Sequence, residues 1–129
     1  MWLREIKIIA VVGASPDPAR PSHRVAANLQ SLGYRIVPVR PGVTHILGEP
    51  AYASLRDIPF AVDIVDVFRA PDAIGPIVDD AIAIGAKRLW LQDGVINEPQ
   101  ALRAQAAGIA VVMDRCLWRD AHQVFGDRR

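Results

Sequence analysis

The sequence predicts a three-layer α/β domain, with a mostly parallel sheet of about five strands and helices on both faces. Three observations carry this. Short β-like apolar runs alternate with amphipathic stretches along the whole 129-residue chain, the pattern that builds βαβ units. The first run, Ile6 to Val12, is almost wholly apolar, as a strand covered on both faces must be. Glycines stand where the helical periods stop, at Gly33, Gly85 and Gly108.

In chain order, a loop with Pro16, Pro18 and Pro21 follows the first strand, and a helix opens at Ser22 with Val25, Leu29 and Leu32 on one face. Tyr34 to Val39 is the second strand. Residues 41 to 60 form an irregular connection, with a short edge strand near Ala51-Tyr52 and one turn at Ser54 to Ile58. Val62 to Phe68 is a strand, and its helix starts at Pro71-Asp72, where proline supplies a helical φ. Ile74, Ile77, Val78, Ala81 and Ile82 keep the helical period. Arg88 to Leu91, a helix over Glu98 to Ala107, the strand Ile109 to Met113 and a last helix from Arg115 complete one domain spanning residues 1–129.

Composition narrows the function classes. A 51% apolar, 22% charged chain matches a folded globular domain. A net charge of +1 announces no nucleic-acid partner. No apolar run approaches the roughly 20 residues that span a bilayer, and the start, Met1 to Glu5, lacks a secretory signal's organisation. Cys116 is the lone cysteine, which suits a reducing compartment, so a cytoplasmic location is expected. Cys116 itself reads as a buried small hydrophobe.

In an open parallel sheet, ligands bind beyond the carboxyl ends of the strands, where the strand order reverses. Those ends are Gly13-Ala14-Ser15, Val39-Arg40-Pro41, Phe68-Arg69 and Gln92-Asp93-Gly94. Small residues after the first strand admit a ligand to the backbone, and the next helix offers free N–H groups to a phosphate. Arg20 and Arg24 add cationic donors, and Ser15 a hydroxyl.

The dinucleotide pattern G-x-G-x-x-G is incomplete: Ser15 and Pro18 hold its second and third glycine positions. Arg40 also stands where an NAD ribose needs an acid. An arginine there suits a ribose bearing an extra phosphate, so NADP and coenzyme A both qualify. Ser15 has no nucleophile elbow around it. His23, His45 and His122 have no metal-ligand spacing. Asp63 and Asp66 point to opposite faces and read as hydrogen-bonded structural carboxylates. No catalytic residue and no metal site is expected.

The residues from Ile9 to Ser15, followed by Arg20, Pro21, Ser22 and Arg24-Val25, resemble the first motif of the small CoA-binding domain proteins. Gly33 to Pro41 is similar to their second motif, which usually ends Pro-Val-Asn-Pro. Leu47-Gly48-Glu49, Ser54-Leu55, Ile58-Pro59, Val62 to Arg69, Trp90-Leu91-Gln92, Gly94-Val95 and Asp114 to Leu117 follow in the family's order, over nearly the whole chain. The family is Rossmann-like and related to the CoA-binding domains of succinyl-CoA synthetase α chains and ADP-forming acyl-CoA synthetases. The resemblance implies that Gly13, Ala14, Ser15 and Arg20 hold a pyrophosphate. It also implies that Val39, Arg40 and Pro41 flank the adenosine, Phe68 and Arg69 border it, and Gln92 and Gly94 face the pantetheine arm. Those synthetases carry their phosphorylated histidine in a separate domain, so their reaction does not transfer.

Two departures stand out. Arg40 replaces the usual Asn, and Trp118-Arg119-Asp120-Ala121-His122 follows Cys116-Leu117 where a Glu-His pair is common. With Trp2 near the other end, these residues suggest a surface for a protein partner or for self-association, natural or engineered. Three functions follow: a non-catalytic module binding CoA or acyl-CoA, an NADP-binding oxidoreductase module, or a protein-interaction domain whose nucleotide site is idle. The second lacks a visible proton donor such as a Tyr-x-x-x-Lys pair.

Overall fold

A computed structural model describes residues 5–125. In chain order it contains β1 (Ile8–Val12), α1 (Pro21–Ser31), β2 (Arg35–Val39), β3 (His45–Ile46), β4 (Glu49–Pro50), β5 (Ile64–Val67), α2 (Ile74–Ala83), β6 (Arg88–Leu91), α3 (Glu98–Ala106), β7 (Ala110–Val112) and α4 (Leu117–Phe125). Five strands form one sheet in the order β2-β1-β5-β6-β7, every pair parallel. The fold is Rossmann-like. The chain order reverses at β1, which has β2 on one side and β5 on the other.

Alternation along the strands sends side chains to two separate cores. On one face Ala10, Val12, Val65, Val67, Leu89 and Leu91 pack with Ile74, Ile77, Val78 and Ala81 of α2 and Ala104 of α3. On the other, Ile9, Val11, Ile36, Ile64 and Trp90 pack with Ala26 and Leu29 of α1 and Leu117 and Ala121 of α4. Leu29 is fully buried, and such a side chain contributes about 1.5–3 kcal/mol.

Several predicted boundaries move by a residue or two, and three regions differ more. Pro21 is the first residue of α1 rather than part of the loop, and the buried stripe runs through Ser22, Ala26 and Leu29. The hydroxyl of Ser22 turns inward because it accepts a backbone N–H from the preceding loop. Residues 71 to 73 form a 3-10 turn before α2, and Ile82 is exposed. Residues 45 to 50 form a β-hairpin ahead of the predicted edge strand, which shrinks to a bridge between Val39 and Tyr52. There Tyr52 N–H donates to Pro38 O (3.0 Å) and Arg40 N–H to Tyr52 O (2.8 Å), capping the exposed edge of β2. No helix among the described residues is long and apolar enough to cross a membrane.

Candidate functional site

The sheet order brings four strand exits together at one edge. Gly13 leaves β1 with φ +85°, a conformation that side chains rarely adopt. Its N–H donates to Val39 O (3.0 Å), and Phe68 N–H donates to Val12 O (2.8 Å), so the turn is pinned to both neighbouring strands. A Cβ built on Gly13 would lie 2.5 Å from Phe68 O and 2.9 Å from Arg69 Cδ. Glycine is therefore required by conformation and by space.

The loop from Ser15 to α1 is held by its own side chains. Ser15 N–H donates to Ser22 Oγ (3.1 Å), Asp17 N–H to Ser15 Oγ (3.1 Å) and Ala19 N–H to Asp17 Oδ1 (2.9 Å). Serine and aspartate in such spacing imitate backbone turns. His23 Nδ1 meets Ser15 O at 2.9 Å, so that nitrogen carries the proton. No side chain among the described residues caps the start of α1. Its positive end opens on the same space.

That space is a cleft of about 930 Å³. Gly13, Ser15, Arg20, Val39, Arg40, Pro41, Phe68, Arg69 and Gln92 all reach it. Arg40 Nη1 donates to Ala14 O at 3.3 Å. The guanidinium groups of Arg20 and Arg69 make no hydrogen bond, ion pair or ring contact among the described residues. Three arginines thus face one cavity and two are uncommitted.

Of the predicted site residues, three stand back from the wall. Ala14 is fully buried, with its carbonyl turned to Arg40. Arg24 Nη1 donates to Ala19 O (2.6 Å), bracing the loop from its exposed side. Gly94 N–H donates to Asp114 Oδ1 (2.7 Å). Asp17, Ser22, Asp93 and Val95 also line the cleft, although the sequence reading assigns them no ligand role. Asp17 and Asp93 sit beside recognised motif positions, so adjacency was the available signal; the burial of Ser22 had none.

The exit of β6 is tied to the start of α4. Leu117 N–H donates to the buried Gln92 Oε1 (3.0 Å) and Trp90 Nε1 to Arg115 O (2.7 Å). Arg119 grips both oxygens of Asp93 at 2.9 Å, matching the carboxylate of the cleft with a cation. Cys116 is buried, as expected. Trp118 is half-buried against the α1/α4 core and stacks on His122, ring centroids 5.2 Å apart. Trp2 lies outside the described residues.

The two aspartates divide. Asp63 Oδ2 accepts the N–H groups of Lys7 and Ile8 at 2.8 and 2.9 Å, the structural role expected of it. Asp66 departs from expectation: it is fully buried between Val11 and Trp90, and neither carboxyl oxygen has a hydrogen-bond partner among the described residues. The apolar strand pairing puts no polar side chain opposite it, and burial holds its carboxyl well above the usual carboxylate range against the weaker, lowering pull of the Val67 backbone N–H. No group of three or more metal-ligating side chains occurs among the described residues.

A family model for the CoA binding domain matches residues 7–121. The chain belongs to that family. The uncharacterised protein YneT of Bacillus subtilis is 38% identical over 122 residues, covering 95% of this chain and 90% of its own. A solved protein of Thermus thermophilus, cell-free ID.343, has a TM-score of 0.92 at 40% identity, with 96% of this chain and 94% of that chain covered. An ADP-forming acetate–CoA ligase of Archaeoglobus fulgidus is 25% identical over 86% of this chain, which spans only 18% of the ligase. The resemblance in the sequence motifs is thereby confirmed, and this CoA-binding domain matches small proteins along nearly their full length.

Proposed function

We propose that this chain binds coenzyme A or an acyl-CoA and catalyses no reaction itself. One observation carries the reading: Arg20 and Arg69, uncommitted, face a cleft built over a turn where residue 13 must be glycine. A ligand with a pyrophosphate and a phosphorylated ribose presents anions that suit these two arginines and Arg40. The pyrophosphate would lie at the Gly13–Ser15 turn and the start of α1, where N–H groups and the helix dipole favour it. Arg40 and Arg69 would take the 3′-phosphate side, and Gln92 the pantetheine side.

A binding role is supported by polar groups near the cleft being engaged by other residues, and by the one unpartnered carboxyl of the sheet, among the described residues, being buried. His23 is held by Ser15 O, Asp93 by Arg119, and the Asp66 carboxyl is sealed away from solvent. The ligand then serves as a signal, or as cargo shown to a protein partner, with the surface around Trp118 as the candidate contact.

The test is to denature the purified protein and search the supernatant for CoA species by mass spectrometry. Calorimetric titration of the protein with CoA, acyl-CoAs and NADPH follows. CoA is expected to bind and NADPH to bind much more weakly. Binding of NADPH alone would make the chain a nucleotide-redox module, and binding of neither would leave a protein-interaction scaffold.

A further inference from the structure

Val39, Pro41 and Arg69 also border a second, smaller hollow, an annex of about 150 Å³ on the α2 side of the sheet. Val12, Leu55 and Ile77 give it apolar walls, and an apolar space of that size accepts a benzene-sized ring. Its polar groups differ from those of the cleft. Asp80 of α2 lines the annex with a side chain 26% exposed. Arg56 Nε holds Asp80 Oδ1 at 2.6 Å, and no hydrogen bond among the described residues engages Oδ2. Ser54 contributes a hydroxyl that donates to Asp57 Oδ2 at 3.2 Å, so its remaining capacity is to accept. A carboxylate has no donor. Apart from Arg69 at the mouth, the polar side-chain atoms of the annex are therefore acceptors.

Resting on the coenzyme A reading above, we infer that Asp80 selects the base of the ligand. The annex takes the six-membered edge of a purine, and Asp80 Oδ2 accepts a hydrogen bond from an exocyclic amino group there. A 6-oxo group in that place would set a lone pair against Oδ2 and leave that oxygen without its donor, the N1–H of the oxo base lying one position further round the ring. Arg56, holding the other oxygen, is a positioning residue.

The experiment compares CoA with deamino-CoA, in which a 6-oxo group replaces the 6-amino group, by calorimetry on the intact chain. The parent protein is expected to prefer CoA by roughly tenfold or more, the scale of one hydrogen bond to a charged group. Asp80→Ala should bring the two affinities together and Asp80→Asn should shift the ratio toward the oxo base. Both should keep the discrimination between CoA and dephospho-CoA, which also reports that they fold. Arg56→Ala breaks the same ion pair but leaves the carboxylate, so its preference for the amino base should persist. Indifference of the parent protein, or a preference that survives in Asp80→Ala, overturns base selection while the coenzyme A reading stands. Failure of the parent protein to bind CoA at all overturns that reading and this inference with it.

Discussion

The carbonyl oxygen of Phe68 stands 2.5 Å from where a Cβ on Gly13 would be, so the exit of β5 closes on the exit of β1 at the one place that glycine allows. Gly13→Ala must move one strand end or abandon a φ of +85°. The conformational strain alone costs roughly 1–3 kcal/mol, and the displaced turn should weaken CoA binding at least as much. Urea denaturation and calorimetry check both; a variant as stable and as tight as the parent would show that the turn relaxes freely.

Arg69 lines the cleft and the annex alike and has no partner among the described residues. If it meets the 3′-phosphate, Arg69→Ala should lose about 1.5–3 kcal/mol of CoA affinity and much less affinity for dephospho-CoA. Arg40→Ala should behave likewise, though its guanidinium already donates to Ala14 O. Equal losses for the two ligands would contradict a 3′-phosphate contact.

Asp66 predicts a pH signature. Its carboxyl is pushed well above the usual range by burial, so folding takes up a proton there. Its stability contribution is full below the unfolded carboxyl range and is lost as pH rises toward the folded pKa. The loss proceeds at up to about 1.4 kcal/mol per pH unit. Asp66→Asn removes that slope. Denaturant midpoints at several pH values should therefore diverge, with the variant gaining on the parent as pH rises; parallel curves would show the native carboxyl already ionised.

Gln92 is both a cleft wall and the acceptor for the first N–H of α4. Gln92→Leu leaves Leu117 N–H buried without that acceptor, at a cost of about 1–3 kcal/mol. Hydrogen exchange should accelerate at the start of α4 before the sheet is affected. Unchanged exchange there would mean that Arg119 and Trp90 alone hold the helix.

Trp118 tests the partner surface. Because its ring is half-buried and stacked on His122, Trp118→Ala should lower stability whether or not a partner exists. Chromatography with light scattering separates the two roles. A change in self-association or partner capture marks an interface, and a change in melting temperature alone marks packing.

Much of this was readable along the chain. The strand Ile8–Val12 and the stretch Leu89–Leu91 after Arg88 announce themselves by unbroken apolar composition, because a strand covered on both faces has no polar side to show. Gly13 was legible for a related reason: a strand-to-helix turn needs a residue tolerant of positive φ. Arg24 and Arg40 could not be told apart by position. One braces its own loop and the other crosses to Ala14, a difference decided by how two loops from separate strands meet.

The order of the elements, the two-faced burial of the sheet and the motif at its leading turn are thus properties of the sequence alone, since each depends on residues within a turn or a strand of one another. Only the tertiary structure decided that Arg20 and Arg69 stand free over one cleft, that the Asp66 carboxyl is left without a side-chain partner and that Asp80 borders the annex. Those outcomes depend on sheet order and register, which join residues dozens of positions apart, and no local periodicity encodes which side chain will meet which.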